Sequence, residues 1–200
     1  MTANRFRSLL LSILIPLASI ASLPGCGYND SVAADETVKA AWANVENVYQ
    51  RRADLVPNLV AVVKGSAAHE EKVLAEVVAA RASATQVKIT ADDLNDPAKA
   101  KAFEEAQSKL SGSLGRLMMI QENYPDLKAN ASFRDLQAQI EGTENRIAVE
   151  RHKYNEAVAT YNKIVRQFPT SIGAGMRGLT PRTAFTATTA NANVAPQVQF

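Results

Sequence analysis

The stretch FRDLQAQIEGTENRIAVERHKYNEAVATYNKIVRQF, residues 133–168, decides the fold. Alternating steps of three and four residues along it reach Phe133, Leu136, Ile140, Thr143, Ile147, Glu150, Tyr154, Ala157, Tyr161, Ile164 and Phe168, and of these only Glu150 is charged. An apolar seam with that period marks a helix that packs along its whole length against other helices. Nowhere in the chain do apolar and polar residues alternate as a strand requires.

The same stepping works upstream. Val38, Trp42, Val45, Tyr49, Arg52, Val56, Leu59 and Val63 form a second seam, again with one charged intruder, Arg52. Val73, Val77, Ala80 and Ala84, flanked by Leu74 and Val78, form a shorter amphipathic run. Phe103, Leu110, Leu114, Leu117, Ile120, Tyr124 and Leu127 mark one face between Ala98 and Lys128, with Asp96 and Pro97 placed as a cap and a first-turn proline. Pro57 predicts a kink near Leu55, because it removes an amide from the hydrogen-bond ladder. Pro125 predicts a helix end at ENYPD, residues 122–126, with a kinked continuation as the alternative. Amphipathic helices joined by short loops predict an all-α, elongated antiparallel four-helix bundle over residues 38–168. From Pro169 the composition turns to Gly, Thr, Ala and Asn, which predicts a flexible tail over 169–200, with SIGAGM able to pack back on the bundle end. Phe185 and Phe200 stand out in it as docking points for a partner.

The N-terminus reads as an export signal. A basic start, MTANRFR, precedes the apolar run LLLSILIPLASIASL, and a small-residue junction follows at LPGC, residues 23–26. The run is shorter than the roughly 20 apolar residues of a spanning helix. Cys26 is the one cysteine in the chain, and its surroundings, with Leu23 three residues before it and Gly25 adjacent, resemble the bacterial lipobox. That resemblance implies that residues 1–25 are a signal peptide, that Cys26 is acylated (palmitate) as the first mature residue, and that residues 26–37 form a linker. Several acyl chains on one residue hold a membrane firmly, whereas one does so only reversibly. With Gly27 rather than Asp after the cysteine, lipoprotein sorting implies the outer membrane in a diderm host. Without residues 1–25, which contain Arg5 and Arg7, the balance of 22 basic to 20 acidic residues becomes 20 to 20, so charge gives no case for nucleic-acid binding.

Four further stretches, RRADLVPNLVAVVKG (51–65), ENYPDLKAN (122–130), TENRIAVERHKYNEAVATYN (143–162) and FPTSIGAG (168–175), together resemble the LemA family in content and order. The resemblance covers residues 38–182 and continues weakly to the closing PQVQF. It implies a bacterial envelope protein with an N-terminal hydrophobic anchor, an extended antiparallel helical bundle and no established catalytic activity. The usual anchor of the family is a transmembrane helix, from which a lipobox departs.

Chemistry-bearing motifs are sparse. A di-metal bundle site needs several Glu residues and Glu-x-x-His pairs, and neither His69 nor His152 stands three residues after a Glu, so no metal or other cofactor is expected. No serine sits in a Gly-x-Ser-x-Gly elbow and no Gly-rich loop follows a strand. Arg52 and Glu150, both on apolar seams, are expected to meet across the bundle as a structural polar pair that fixes register, with Asp54, Glu144 and Arg146 as neighbours. Tyr154–Asn155 and Tyr161–Asn162 repeat at seven residues, which predicts core rings whose hydroxyls reach a polar rim and Asn side chains that bond a neighbouring loop. The expected function is a non-enzymatic, membrane-anchored adaptor or scaffold for other envelope proteins on the extracytoplasmic side. The alternatives are a self-associating protein that shapes the membrane, and an enzyme with a bundle-core site using Glu144, Glu150 or His152.

Overall fold

A computed structural model describes residues 25–185 apart from Ala68, with side chains from Asn29 onward. The signal-peptide reading of residues 1–24, the side chain of Cys26, Phe200 and the closing PQVQF therefore lie outside the described residues. Within them the chain is helical, with no strand: α1 (Gly25–Ser66), α2 (Glu71–Gln86), α3 (Pro97–Met119), the one-turn α4 (Pro125–Ala129), α5 (Ala131–Arg166) and α6 (Thr170–Met176). The longest contacts run between α1 and α5 and between α2 and α3, and α2 also lies on α1.

The seams read from the sequence are the buried faces. Every member of the α1 series from Val38 to Val63, Arg52 included, is buried. On α5 Phe133, Ile140, Thr143, Ile147, Tyr154 and Tyr161 of the expected series are buried and Leu136 and Glu150 half-buried, while beyond Tyr154 Val158 and Val165 are buried in place of Ala157 and Ile164. A straight helix gains about 20° per heptad on a strict 3.5-residue repeat, and over this length the drift carries the seam one position on. Phe168, the last expected member, is left exposed.

Two expectations are corrected. Residues 26–37 are not a linker in the described backbone: α1 begins at Gly25 and runs 42 residues without a break, and Ala34 already belongs to the core. The helix end expected at ENYPD is present: α3 stops at Met119 and the chain passes through a 3-10 turn at Ile120–Glu122 before Pro125 starts α4. The tail is ordered as far as Phe185. α6 buries Ala174, and Gly178, with φ of 67°, closes it in a Schellman turn: the Gly178 amide donates to the Gly175 carbonyl and the Leu179 amide to the Ala174 carbonyl. The chain is thereby turned back along α5.

At the start of α3 the sequence signal holds, and α5 carries a cap that was not foreseen. The Asp96 carboxylate accepts from the amides of Ala98, at 2.9 Å, and Lys99, and Asn130 caps α5 by accepting from the Phe133 amide. The connection from α2 to α3 folds over the Trp42 ring, whose Nε1–H donates to the Ile89 carbonyl at 3.1 Å.

Pro57 lies inside α1 and the helix passes through it. The carbonyl that its missing amide would have bonded is that of Ala53, a buried residue. Arg81 of α2 fills the vacancy: its Nε–H donates to the Ala53 oxygen at 2.8 Å. The cost of proline in mid-helix is thus partly offset by an interhelical bond that also ties α2 to α1. Arg81→Met, which keeps the aliphatic stem, is expected to lower stability by about 1 kcal/mol. In a Pro57→Ala background, where residue 57 regains its amide, the loss should be smaller, and urea denaturation of the four proteins reads the difference as a coupling energy.

Candidate functional site

Two buried polar layers are the chemically distinctive parts of the molecule. The first is centred on Arg52, whose side chain is 1% exposed. Its Nη1 donates to Glu144 Oε1 on α5 and to Ser111 Oγ on α3 at 2.6 Å, and its Nη2 donates to Gln107 Oε1 at 2.7 Å. Ser111 Oγ–H in turn donates to the same Glu144 oxygen at 3.0 Å, and Gln107 Nε2 donates to the Ala84 carbonyl of α2. The guanidinium lies 5.2 Å from the centre of the Tyr49 ring. All four of the longer helices meet in this layer, and the two apolar clusters of the core lie on either side of it.

Arg52 is therefore buried and paired, as its place on the seam implied, but its carboxylate partner is Glu144. Glu150 turns to its own helix, where Lys153 Nζ donates to it at 2.8 Å. Glu144 is 43% exposed at its outer edge, so the ion pair keeps one foot in water and avoids much of the desolvation cost of a fully enclosed pair. Asp54 accepts from Gln50 and takes no part. The groups of the enzymatic alternative are dispersed: Glu144 is held by Arg52, Glu150 by Lys153, and exposed His152 lies 3.4 Å from Glu156. Among the described residues no cluster of three or more His, Cys, Asp or Glu could hold a metal. An open cleft of 320 Å³ between α1 and the α2–α3 connection carries Glu46, which burial shifts upward, with no second acid or histidine in its lining.

The second layer holds the strap, residues 179–185. Asn162 makes a reciprocal pair with the backbone of Arg182, its Nδ2–H donating to the carbonyl at 2.8 Å and its Oδ1 accepting from the amide at 2.7 Å. Asn155 does the same with Phe185, at 3.0 and 2.8 Å. Tyr161 Oη–H donates to the Thr180 carbonyl and Tyr154 Oη–H to that of Thr183. Seven residues of helix rise about 10.5 Å and three residues of drawn-out chain about 10 Å, so one heptad of α5 matches the spacing of Arg182 and Phe185. The repeated Tyr-Asn pairs are the ladder on which the strap lies, and the loop predicted for the Asn side chains is this one.

Side chains lock the strap. Arg182 reaches between Asp35 of α1, at 2.7 Å, and Asp92 of the α2–α3 connection, at 2.6 Å, above the Tyr161 ring. Phe185 lies against Trp42 at 5.7 Å and Tyr154 at 5.3 Å, and the Arg151 guanidinium covers it at 4.2 Å while bonding Glu104. Burial raises the Asp35 carboxyl, but the bonds and charges of Lys39 and Arg182 outweigh burial and hold it below the usual carboxylate range. Burial pushes the Tyr154 hydroxyl up to about 12. Nearby, Asp93 is held at about 2 by Lys99 and by the Thr90 amide and hydroxyl.

Sequence reasoning missed Arg182, Asp35 and Asp92. The available signal was Arg182 in a stretch of chain with no acidic residue after Glu156, since an arginine there has to find its carboxylates on the bundle.

Removing Glu144 strands the Arg52 charge, so Glu144→Ala is expected to cost about 2 kcal/mol in urea denaturation, against less than about 0.5 kcal/mol for Glu150→Ala. Arg52 should couple with Glu144 in a double-mutant cycle and not with Glu150, and equal losses at the two glutamates would contradict the assignment. Asp35 has a lowered pKa, so its contribution is complete above the ordinary carboxylate value and is lost as pH falls through the lowered one. The protection factors of the Arg182 and Phe185 amides, taken against the intrinsic exchange rate at each pH, should therefore fall toward acid, and Asp35→Asn should lower them already at neutral pH.

Comparison with known proteins gives concordant relatives. The magnetosome proteins MamQ 1 and MamQ 2 of Paramagnetospirillum magneticum and MamQ of Magnetospirillum gryphiswaldense are each 28% identical over 177 residues, covering 80% of this chain. The alignment spans 65% of the length of each of these relatives. The model of the LemA family matches residues 41–200, which take in the Arg52 layer, the Tyr-Asn ladder and the strap, and the chain belongs to the LemA family.

Proposed function

We propose that the protein is a non-enzymatic, membrane-anchored adaptor or scaffold of the bacterial cell envelope, built as an elongated antiparallel four-helix bundle. The observation that carries this reading is α1 itself: it is helical from Gly25, close after the apolar run of residues 9–23, and extends 42 residues, or about 63 Å. An anchor followed at once by a rod of that length presents helix faces at a fixed distance from a membrane. No helix among the described residues is long and apolar enough to cross a membrane, so in this reading attachment falls to the N-terminus. There Cys26 is the acylated residue, and an uncleaved spanning segment is the alternative. The buried carboxylates and amides of both layers are engaged by Arg52, by Arg182 or by the backbone, which fits a framework that binds through its surface. The magnetosome designation of the MamQ relatives fits a part in building a cellular structure.

Attachment is tested by intact mass and palmitate labelling of the membrane fraction, with Cys26→Ala as the comparison. Wild type is expected to begin at a labelled Cys26, and the variant to lose both label and processing; retention of unlabelled residues 1–25 by both proteins would identify a spanning anchor instead. Adaptor function is tested with photo-crosslinking residues at exposed Lys72, Glu105 and Ala138 in living cells. Discrete crosslinks to other envelope proteins are expected. Crosslinks confined to further copies of this chain would replace the adaptor with a self-assembling protein.

A further inference from the structure

α6 and the residue pair before it carry an apolar stripe that the fold leaves uncovered. Ile172, 58% exposed, and Met176, 82% exposed, are spaced at four residues on one face of α6, and Phe168, 82% exposed, stands in the turn that leads into it. The opposite side is anchored, with Ala174 fully buried in the cluster that also holds Ala34, Val38 and Val165. α6 thus lies against the opening turns of α1 and the last turn of α5. That is the end at which the chain leaves toward residues 9–23, whose sequence is the most apolar run of the protein. The charge around the stripe is basic: Lys163, Arg166 and Arg177 are exposed beside it, and no acidic residue follows Glu156. On α1 the exposed Asp30 opposes them, while Asp35 is engaged by Arg182 and Lys39.

An exposed apolar stripe rimmed by cations, at the end of the molecule where the anchor departs, has one chemically matched occupant. The geometry points to α6 as a membrane-docking foot: Phe168, Ile172 and Met176 enter the interfacial zone of the phospholipid bilayer that holds the N-terminus, with Lys163 and Arg166 on anionic headgroups. The inference rests on the membrane anchorage proposed above and adds a second, non-covalent contact to it. Each basic residue at an anionic surface adds favourable energy, and apolar side chains at the headgroup boundary add more. Two points of attachment at one end fix the inclination of the rod, which one flexible tether does not.

The test uses the full chain with Cys26→Ser, reconstituted through residues 1–25 into vesicles of phosphatidylethanolamine and phosphatidylglycerol. An environment-sensitive fluorophore is placed singly by Ile172→Cys, Met176→Cys or, as reference, Val149→Cys, an exposed apolar position on α5. All three sites are exposed, and circular dichroism of each labelled protein checks the fold. On vesicles the labels at 172 and 176 are expected to shift to the blue and be quenched by nitroxide-bearing lipid, with the label at 149 unchanged. Vesicle-bound protein whose labels at 172 and 176 stay as solvent-exposed as that at 149 would overturn the foot and leave the anchor standing. A blue shift without lipid quenching would assign the stripe to a second copy of the chain, and failure to associate with vesicles at all would overturn the foot, the acyl anchor being tested separately by the Cys26→Ala comparison.

Discussion

The bundle depends on one guanidinium. Arg52 can be buried only where a carboxylate, a hydroxyl and an amide oxygen converge on it, and those groups come from two other helices while Gln107 reaches a third. Sliding any of these helices by a turn would leave a charge or a polar atom enclosed without a partner, which costs several kcal/mol. The apolar clusters on either side are made largely of Val, Leu, Ile and Ala, which tolerate many registers. The polar layer supplies discrimination that the apolar layers lack, at little net gain in stability.

That layer also explains why the choice of Glu150 failed. The seam showed that Arg52 and Glu150 both face inward, but the axial offset between α1 and α5 is absent from either seam taken alone. One observed contact fixes it. Trp42 lies 5.8 Å from Tyr154, and because the two helices run in opposite directions, ten residues onward on α1 from Trp42 correspond to ten residues back on α5 from Tyr154. Arg52 therefore meets Glu144, and Glu150 falls beyond the reach of the guanidinium. Period, direction and buried face were legible in the sequence, since each follows from spacing within a helix. Register was not, since it depends on a contact between helices.

The strap was illegible for a different reason. Residues 179–185 have no apolar face to repeat, and low hydrophobicity ordinarily signals disorder because too little surface is buried to offset the entropy of ordering. Here the ordering comes from polar groups instead. Two Asn side chains act as backbone surrogates, each satisfying both an amide and a carbonyl of the strap, and one arginine closes two ion pairs. The Tyr-Asn repeat on α5 was visible, and so was a need for partners. What it served is clear only once Gly178 has turned the chain back along that face.

This arrangement sets an order of assembly. Arg182 and Asp35 are 147 residues apart in sequence, and the strap finds its partners on α1, on α5 and in the α2–α3 connection. None of these sites exists until α1 and α5 are paired and the connection is folded over Trp42, so the strap docks last, after the loop-closure cost of the long pairings has been met. Its docking completes the apolar cluster at the N-terminal end of α1 by placing Phe185 against Trp42 and Tyr154. The half of the rod beyond Arg52 is closed by its own seams and does not touch the strap. Loosening the strap should therefore soften the end nearest the N-terminus of α1 and leave the far half folded, because the polar layer between them is held by α1, α2, α3 and α5 without the strap.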